Sequence, residues 1–87
     1  MKYVQLRPYA DPEAAARKLI EIANTIEPAR DGRIFIEQIN GRMLLEHKAT
    51  PAEYKAGLDL AVAKGWLELH ESGTFLRFTQ SGKDLFA

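Results

Sequence analysis

The side chains able to do chemistry in this sequence are few and far apart. His47 and His70 are its two histidines, and it has no cysteine. Disulfides, thiolate metal sites and a cysteine nucleophile are therefore excluded. A metal centre built on the histidines would need added carboxylate ligands, and no spacing of the His-x-x-x-His kind is present. The two histidines also fall on different expected elements. His47 sits near a helix C-terminus, where it suits the helix dipole, and His70 lies on a strand surface beside Phe75. Ser72, Ser81 and the threonines occupy turn and cap positions, which their hydroxyls explain. There is no Gly-x-Ser-x-Gly elbow and no Gly-rich phosphate loop. Carboxylates at helical spacing read as surface charges. The expectation is a protein that is not an enzyme and that uses no metal and no cofactor.

What remains is the chemistry of charge and of apolar surface. Twelve Lys and Arg balance twelve Asp and Glu over 87 residues. Residues 1–40 carry six of each sign, residues 41–65 four positive and three negative, and residues 66–87 two positive and three negative. No stretch is the basic tail or block that a strong non-specific nucleic-acid binder carries, because phosphate contacts dominate such affinity. The composition, 46% hydrophobic and 28% charged, is that of an ordinary globular domain. A chain this short buries only ~60–65% of its unfolded surface, so a single domain spanning residues 1–87 is expected. The N-terminal stretch has no apolar core of signal-peptide length, and no run could span a bilayer, which gives a cytoplasmic, non-membrane expectation.

The elements follow from local signals. Residues 1–10 alternate loosely before Pro8 and read as an N-terminal arm or edge strand. Asp11-Pro12-Glu13 is a helix start, with an Asp cap, proline at the first helical position and an acid in the first turn. Ala16, Leu19, Ile20, Ala23 and Ile26 follow at helical spacing, so a helix is expected over residues 12–26, stopped by Pro28. After the turn Ala29-Arg30-Asp31-Gly32, residues 34–47 admit two readings. One is a hairpin about Asn40-Gly41; the other is a strand over Arg33–Glu37 and then a brief helix capped by Asn40 and containing Met43 and Leu44. The Leu, Met, Glu and Lys content after Asn40-Gly41 favours the second. Thr50-Pro51-Ala52-Glu53 is a capping box, opening a helix over residues 51–64 that Gly65 ends. Strands Trp66–Glu71 and Thr74–Thr79 join through Ser72-Gly73. Residues 79–85 read as a terminal helical turn, with Leu85 and Phe86 folding back onto the core.

Three of these features resemble the winged helix-turn-helix superfamily as found in small bacterial regulators. They are the capped helix from Thr50 that runs into Gly65-Trp66-Leu67, the hairpin directly after it, and the ending Thr79-x-x-Gly82-x-x-Leu85. The likeness covers about residues 12–86. It implies an α+β fold of three helices, a short strand, a C-terminal hairpin wing and a terminal turn. It also implies double-stranded DNA as partner, the helix after the turn entering the major groove. Arg42, Lys48, Thr50 and Lys55, around the helix-turn-helix entrance, are then the candidate phosphate contacts.

The residues themselves point elsewhere. On a helical wheel Tyr54, Leu58, Ala61, Val62 and Gly65 form the buried side of the third helix. Ala52, Ala56, Asp59, Leu60 and Ala63 face outward, whereas a base-reading helix presents Arg, Lys, Asn or Gln. Ala52, Ala56, Leu60 and Ala63 are therefore candidates for a protein interface or homodimer. Gly57 flanks the buried stripe, and close helix packing is a sufficient explanation for a glycine there. In the hairpin, a turn at Ser72-Gly73 sets Leu69 against Leu76 and Leu67 against Phe78 on the core side. Glu68 then faces Arg77, His70 faces Phe75 and Trp66 faces Thr79 on the other side. A Glu68–Arg77 pair contributes ~0.2–1 kcal/mol and gives that arginine a structural role. Trp66 is expected to fill the core or cap its edge. Tyr3, Tyr9 and Tyr54 are expected to serve core or edge packing. Two functions stand side by side: a DNA-binding, transcription-associated regulator, and a protein-interaction or dimerisation module that does not bind DNA.

Overall fold

Capping chemistry sets the two long helices. The structure, a computed structural model, describes residues 7–28 and 32–86. Helix α1 spans Pro12–Thr25, and the Asp11 carboxylate accepts the Glu13 amide at 3.1 Å, filling one of the donors left open at a helix start. Helix α3 spans Pro51–Ala63. Its capping box is complete: the Glu53 amide donates to Thr50 Oγ1 at 3.1 Å, and the Thr50 amide donates to Glu53 Oε1 at 2.9 Å. At its far end Gly65 takes φ +77°, the Gly65 amide donates to the Val62 carbonyl and the Trp66 amide to that of Ala61. That pair of bonds is a Schellman closure, which needs the left-handed residue that glycine supplies.

The two helices meet where both are smallest. Ala15 and Ala16 of α1 lie against Gly57 of α3; a Cβ on Gly57 would stand 2.7 Å from Ala15 Cβ and 2.9 Å from its carbonyl carbon. Around this contact the core gathers Leu19, Ile20, Tyr54, Leu58 and Ala61. The close approach turns α3 toward its Gly57 flank. Leu60, expected to face outward, is half-buried and packs against the core, while Val62 is only half-buried and Gly65 is exposed.

Between the long helices the chain departs from expectation. Strand β1 is only Ile34–Phe35, and helix α2, Ile36–Gly41, follows without a break. Asn40 and Gly41 lie inside the helix, so the hairpin reading is excluded and Asn40 is not a cap. The reason is burial: Ile39 and Met43 are both fully buried, and helical phase through the Asn-Gly pair puts them on one side, where a two-residue hairpin about that pair would put them on opposite faces. A π turn, Arg42–Glu46, continues the helix, with the His47 amide donating to the Arg42 carbonyl. Its extra residue per turn leaves Leu45 at 75% exposure beside buried Met43. Lys48, at φ +60°, then reverses the chain into Thr50.

Strands β2, Leu67–Leu69, and β3, Phe75–Phe78, complete a three-stranded antiparallel sheet in the order β1-β3-β2. The register is the expected one: Leu67 faces Phe78, Glu68 faces Arg77 and Leu69 faces Leu76. The turn is wider than two residues. Strand pairing closes at the His70 amide to Phe75 carbonyl bond, and Gly73, at φ +75°, donates to the His70 carbonyl. Ile34, Leu67 and Leu76 cover the helices from the sheet's inner face. Helix α4, Gln80–Asp84, is capped by Thr79, whose hydroxyl accepts the Gly82 amide at 3.0 Å and donates to the Gly65 carbonyl. Leu85 and Phe86 remain more than two-fifths exposed, so they edge the core instead of entering it, Phe86 standing edge-on to Phe78 at 6.0 Å. Trp66 is half-buried, between the Arg17 guanidinium at 5.7 Å and the Lys64 amine at 5.3 Å from its ring centre. Pro8–Ala10 form a single 3-10 turn, not an edge strand; residues 1–6 of the expected arm and residues 29–31 of the expected turn lie outside the described residues. The whole is a small α+β domain, and among the described residues no helix is long and apolar enough to cross a membrane.

Candidate functional site

The four candidate phosphate contacts are mostly engaged within the fold. Arg42 donates to Thr25 Oγ1 at 2.7 Å and reaches Glu46 at 3.4 Å, tying the π turn to the end of α1. Lys55 pairs with Asp59 at 3.0 Å on the outer face of α3. Thr50 is the α3 cap. Lys48 differs: its side chain is exposed, and among the described residues no ion pair engages it. Its carbonyl accepts from Arg7 at 3.1 Å. That arginine also makes a two-point contact with Glu53, at 2.8 and 2.9 Å, so the segment before α1 is clamped to the start of α3. The Arg7 guanidinium, then the Thr50 backbone amide, hold the Glu53 carboxyl well below the usual range, at about 2. Arg7 is raised in turn by Glu53.

Of the interface candidates, Ala52, Ala56 and Ala63 are exposed, with Asp59 among them, and Leu60 is not. The outer face of α3 thus carries three methyl groups and an ion pair. The two side chains there that could meet base edges, Lys55 and Asp59, are paired with each other.

Beside that face runs an apolar groove of about 560 Å³. Its walls come from three elements: Ile36 and the π-turn residue Leu44, then Tyr54 and Leu58 of α3, then Leu69 of β2. Leu69 was expected to lie in the core with Leu67. It points to the same side but sits nearer the hairpin tip, past the helices that cover Leu67, and stays 38% exposed. The Tyr54 hydroxyl is buried and has no hydrogen-bond partner among the described residues, and burial pushes the phenol up. Sequence patterning gives no view of this groove, because it depends on Ile36 opening a helix instead of continuing a strand.

The other face of the sheet holds a second cluster. Phe75, expected to be on the solvent side opposite His70, is buried there by its neighbours. The His70 ring stacks on it at 4.3 Å and Phe35 stands edge-on at 6.4 Å. The Arg33 and Arg77 guanidinium groups lie 5.2 and 5.3 Å from its centre. Arg77 faces Glu68 across the strands, as expected, and its guanidinium also lies over the Phe75 ring. Arg33 arrives beside Arg77 only through β1–β3 pairing; the signal for it is the run Arg33-Ile34-Phe35 read as a strand with Ile34 inward.

The two histidines have separate neighbours. His47 stands edge-on to Tyr9 at 6.2 Å, and His70 Nδ1 contacts Ser72 Oγ at 2.8 Å and accepts the Ser72 amide. Among the described residues no group of three or more His, Cys, Asp or Glu could hold a metal ion. No protein-family model matches the sequence, and neither a curated protein nor a solved structure is similar to it. The groove, the outer face of α3 and the Phe75 cluster are therefore judged by their own geometry.

Proposed function

We propose that this chain is a non-enzymatic, winged-helix-like module that works by docking another protein and not by reading bases with α3. The observation that carries the reading is the apolar groove of about 560 Å³ alongside α3, open to solvent between α2 and the hairpin. Ile36, Leu44, Leu58 and Leu69 offer a surface whose removal from water is favourable by roughly 25 cal/mol per Å². The neighbouring outer face of α3, with Ala52, Ala56 and Ala63, lets a partner element approach closely. The winged-helix comparison draws its support from the element order: two helices about a short strand, a capped third helix, a hairpin and a terminal turn, with β1 added beside β3.

The test is a map of apolar binding on the full-length chain. With dilute isopropanol as probe, saturable amide shifts should gather around residues 36–44, 54–59 and 69–73. Shifts gathered instead at Leu85 and Phe86, or spread evenly, would count against docking at the groove.

A second reading, a DNA-binding, transcription-associated regulator, is favoured by one observation. Lys48 stands exposed at the entrance to α3. Such a protein would hold the phosphate backbone with little base readout. Labelled random-sequence duplex at low salt would then bind, with affinity falling steeply as salt rises. No binding at low salt removes this reading.

A further inference from the structure

We infer that the groove beside α3 takes an apolar segment of a partner protein that carries a lysine or arginine at its Glu37 end. This rests on the docking reading above and adds the chemistry of the occupant. The groove continues past Ile36, Asn40 and Gly73 into a second hollow of about 330 Å³, whose wall includes Phe35 and Glu37. At the borders of the combined surface, Phe35 and Leu69 are 39% and 38% exposed, two large apolar side chains left partly uncovered on β1 and β2, the strands that flank β3. Ile36 lines both hollows, and Leu44, Tyr54, Leu58 and Leu69 extend the apolar wall of the larger one.

Charge decides what kind of apolar segment fits. Three charged residues line the two hollows: Glu37, Lys55 and Asp59. Lys55 and Asp59 are paired at 3.0 Å and offset each other. Glu37 is exposed and, among the described residues, has no ion-pair partner. An occupant meets a net negative rim, so a basic side chain next to its apolar anchors is attracted and an acidic one is repelled. A second copy seated groove to groove would bring the same acidic end of both chains into one two-fold interface, which disfavours that occupant.

The experiment uses the full-length chain and two synthetic peptides. Both place leucines at positions i, i+3, i+4 and i+7; one carries lysines at the remaining positions and the other glutamates. The lysine peptide should shift the amides of residues 36–44, 54–59 and 69–73 saturably, and the glutamate peptide should bind about tenfold or more weakly. Glu37→Lys, at an exposed position that has no ion-pair partner among the described residues, should keep the amide spectrum dispersed and abolish that preference. Equal binding of both peptides in the groove overturns the basic-partner inference and leaves docking at the groove standing. A preference for the lysine peptide that survives Glu37→Lys also overturns it. Groove amides unmoved by either peptide overturn the docking reading as well. Sedimentation that depends on concentration without peptide, and loses that dependence in Leu69→Lys, identifies a second copy as occupant and overturns the inference.

Discussion

Gly57 and Gly41 make a controlled pair for the packing argument. Both are helical glycines, and exposed-helix propensity alone predicts that alanine at either position stabilises by about 1 kcal/mol. Their surroundings differ. Nothing lies within 4 Å of a Cβ built on Gly41, whereas one on Gly57 would meet Ala15 Cβ at 2.7 Å, the Ala15 carbonyl carbon at 2.9 Å and the Ala16 nitrogen at 3.0 Å. Carbon atoms rest about 3.5–4.0 Å apart, so α1 and α3 would have to separate by roughly 1 Å. Two of the three obstructing atoms are backbone and cannot rotate away. Overpacking of this kind costs about 1–3 kcal/mol, which after the propensity gain leaves Gly57→Ala destabilised by up to about 2 kcal/mol. With a urea slope of about 1 kcal/mol/M, its midpoint should fall, by up to about 2 M. Gly41→Ala should raise the midpoint, by up to about 1 M. Equilibrium urea unfolding followed by Trp66 fluorescence and far-UV circular dichroism reads both variants. Midpoints that move in the same direction would refute the close α1–α3 contact as the reason for Gly57.

Three further outcomes follow from single contacts. Glu53, with its folded carboxyl at about 2 against an ordinary value of about 4.3, stabilises the fold fully above the ordinary value and loses that contribution as pH falls through about 2. Arg7→Gln should therefore flatten the acid limb of stability between about pH 5 and 2 and move the Glu53 carboxyl resonance titration upward; an unmoved titration would contradict the Arg7 clamp. Tyr54→Phe removes a buried hydroxyl that has no partner among the described residues and should raise stability by about 1 kcal/mol, a loss of that size showing instead that the hydroxyl is bonded. Lys48→Gly places glycine at φ +60° and should hold or raise the unfolding midpoint, since a left-handed non-glycine residue costs about 1–2 kcal/mol. Because it removes the exposed cation without disturbing the fold, Lys48→Gly also asks whether any low-salt DNA binding depends on that residue.

Signals that act within one turn of chain were legible in the sequence. Asp11-Pro12, the Thr50 to Glu53 box, Gly65 and the Thr79 cap all bond the backbone atoms that their spacing indicates. The hairpin register was legible too, because a turn centred on Ser72-Gly73 fixes which residues pair and the alternation of Leu67, Leu69, Leu76 and Phe78 then puts the apolar side chains on one side. What was not legible depends on partners distant in sequence. Asn40-Gly41 favours a turn locally, and only the burial of Ile39 and Met43 against the rest of the core makes it helical. Leu60 sits on the flank that the Ala15–Gly57 contact draws inward, a rotation no single-helix wheel contains. The groove needs α2, α3 and β2 at once, and the Phe75 cluster needs β1 beside β3, so neither has a local signature.

The central claim is that α3 serves as one wall of a docking groove and does not read DNA. Its most direct test is the amide spectrum of the full-length chain titrated with random-sequence duplex DNA at low salt. The account predicts that the amides of Ala52, Ala56, Asp59 and Ala63 stay where they are. Saturable shifts at these four residues, fading steeply as salt is added, would contradict it.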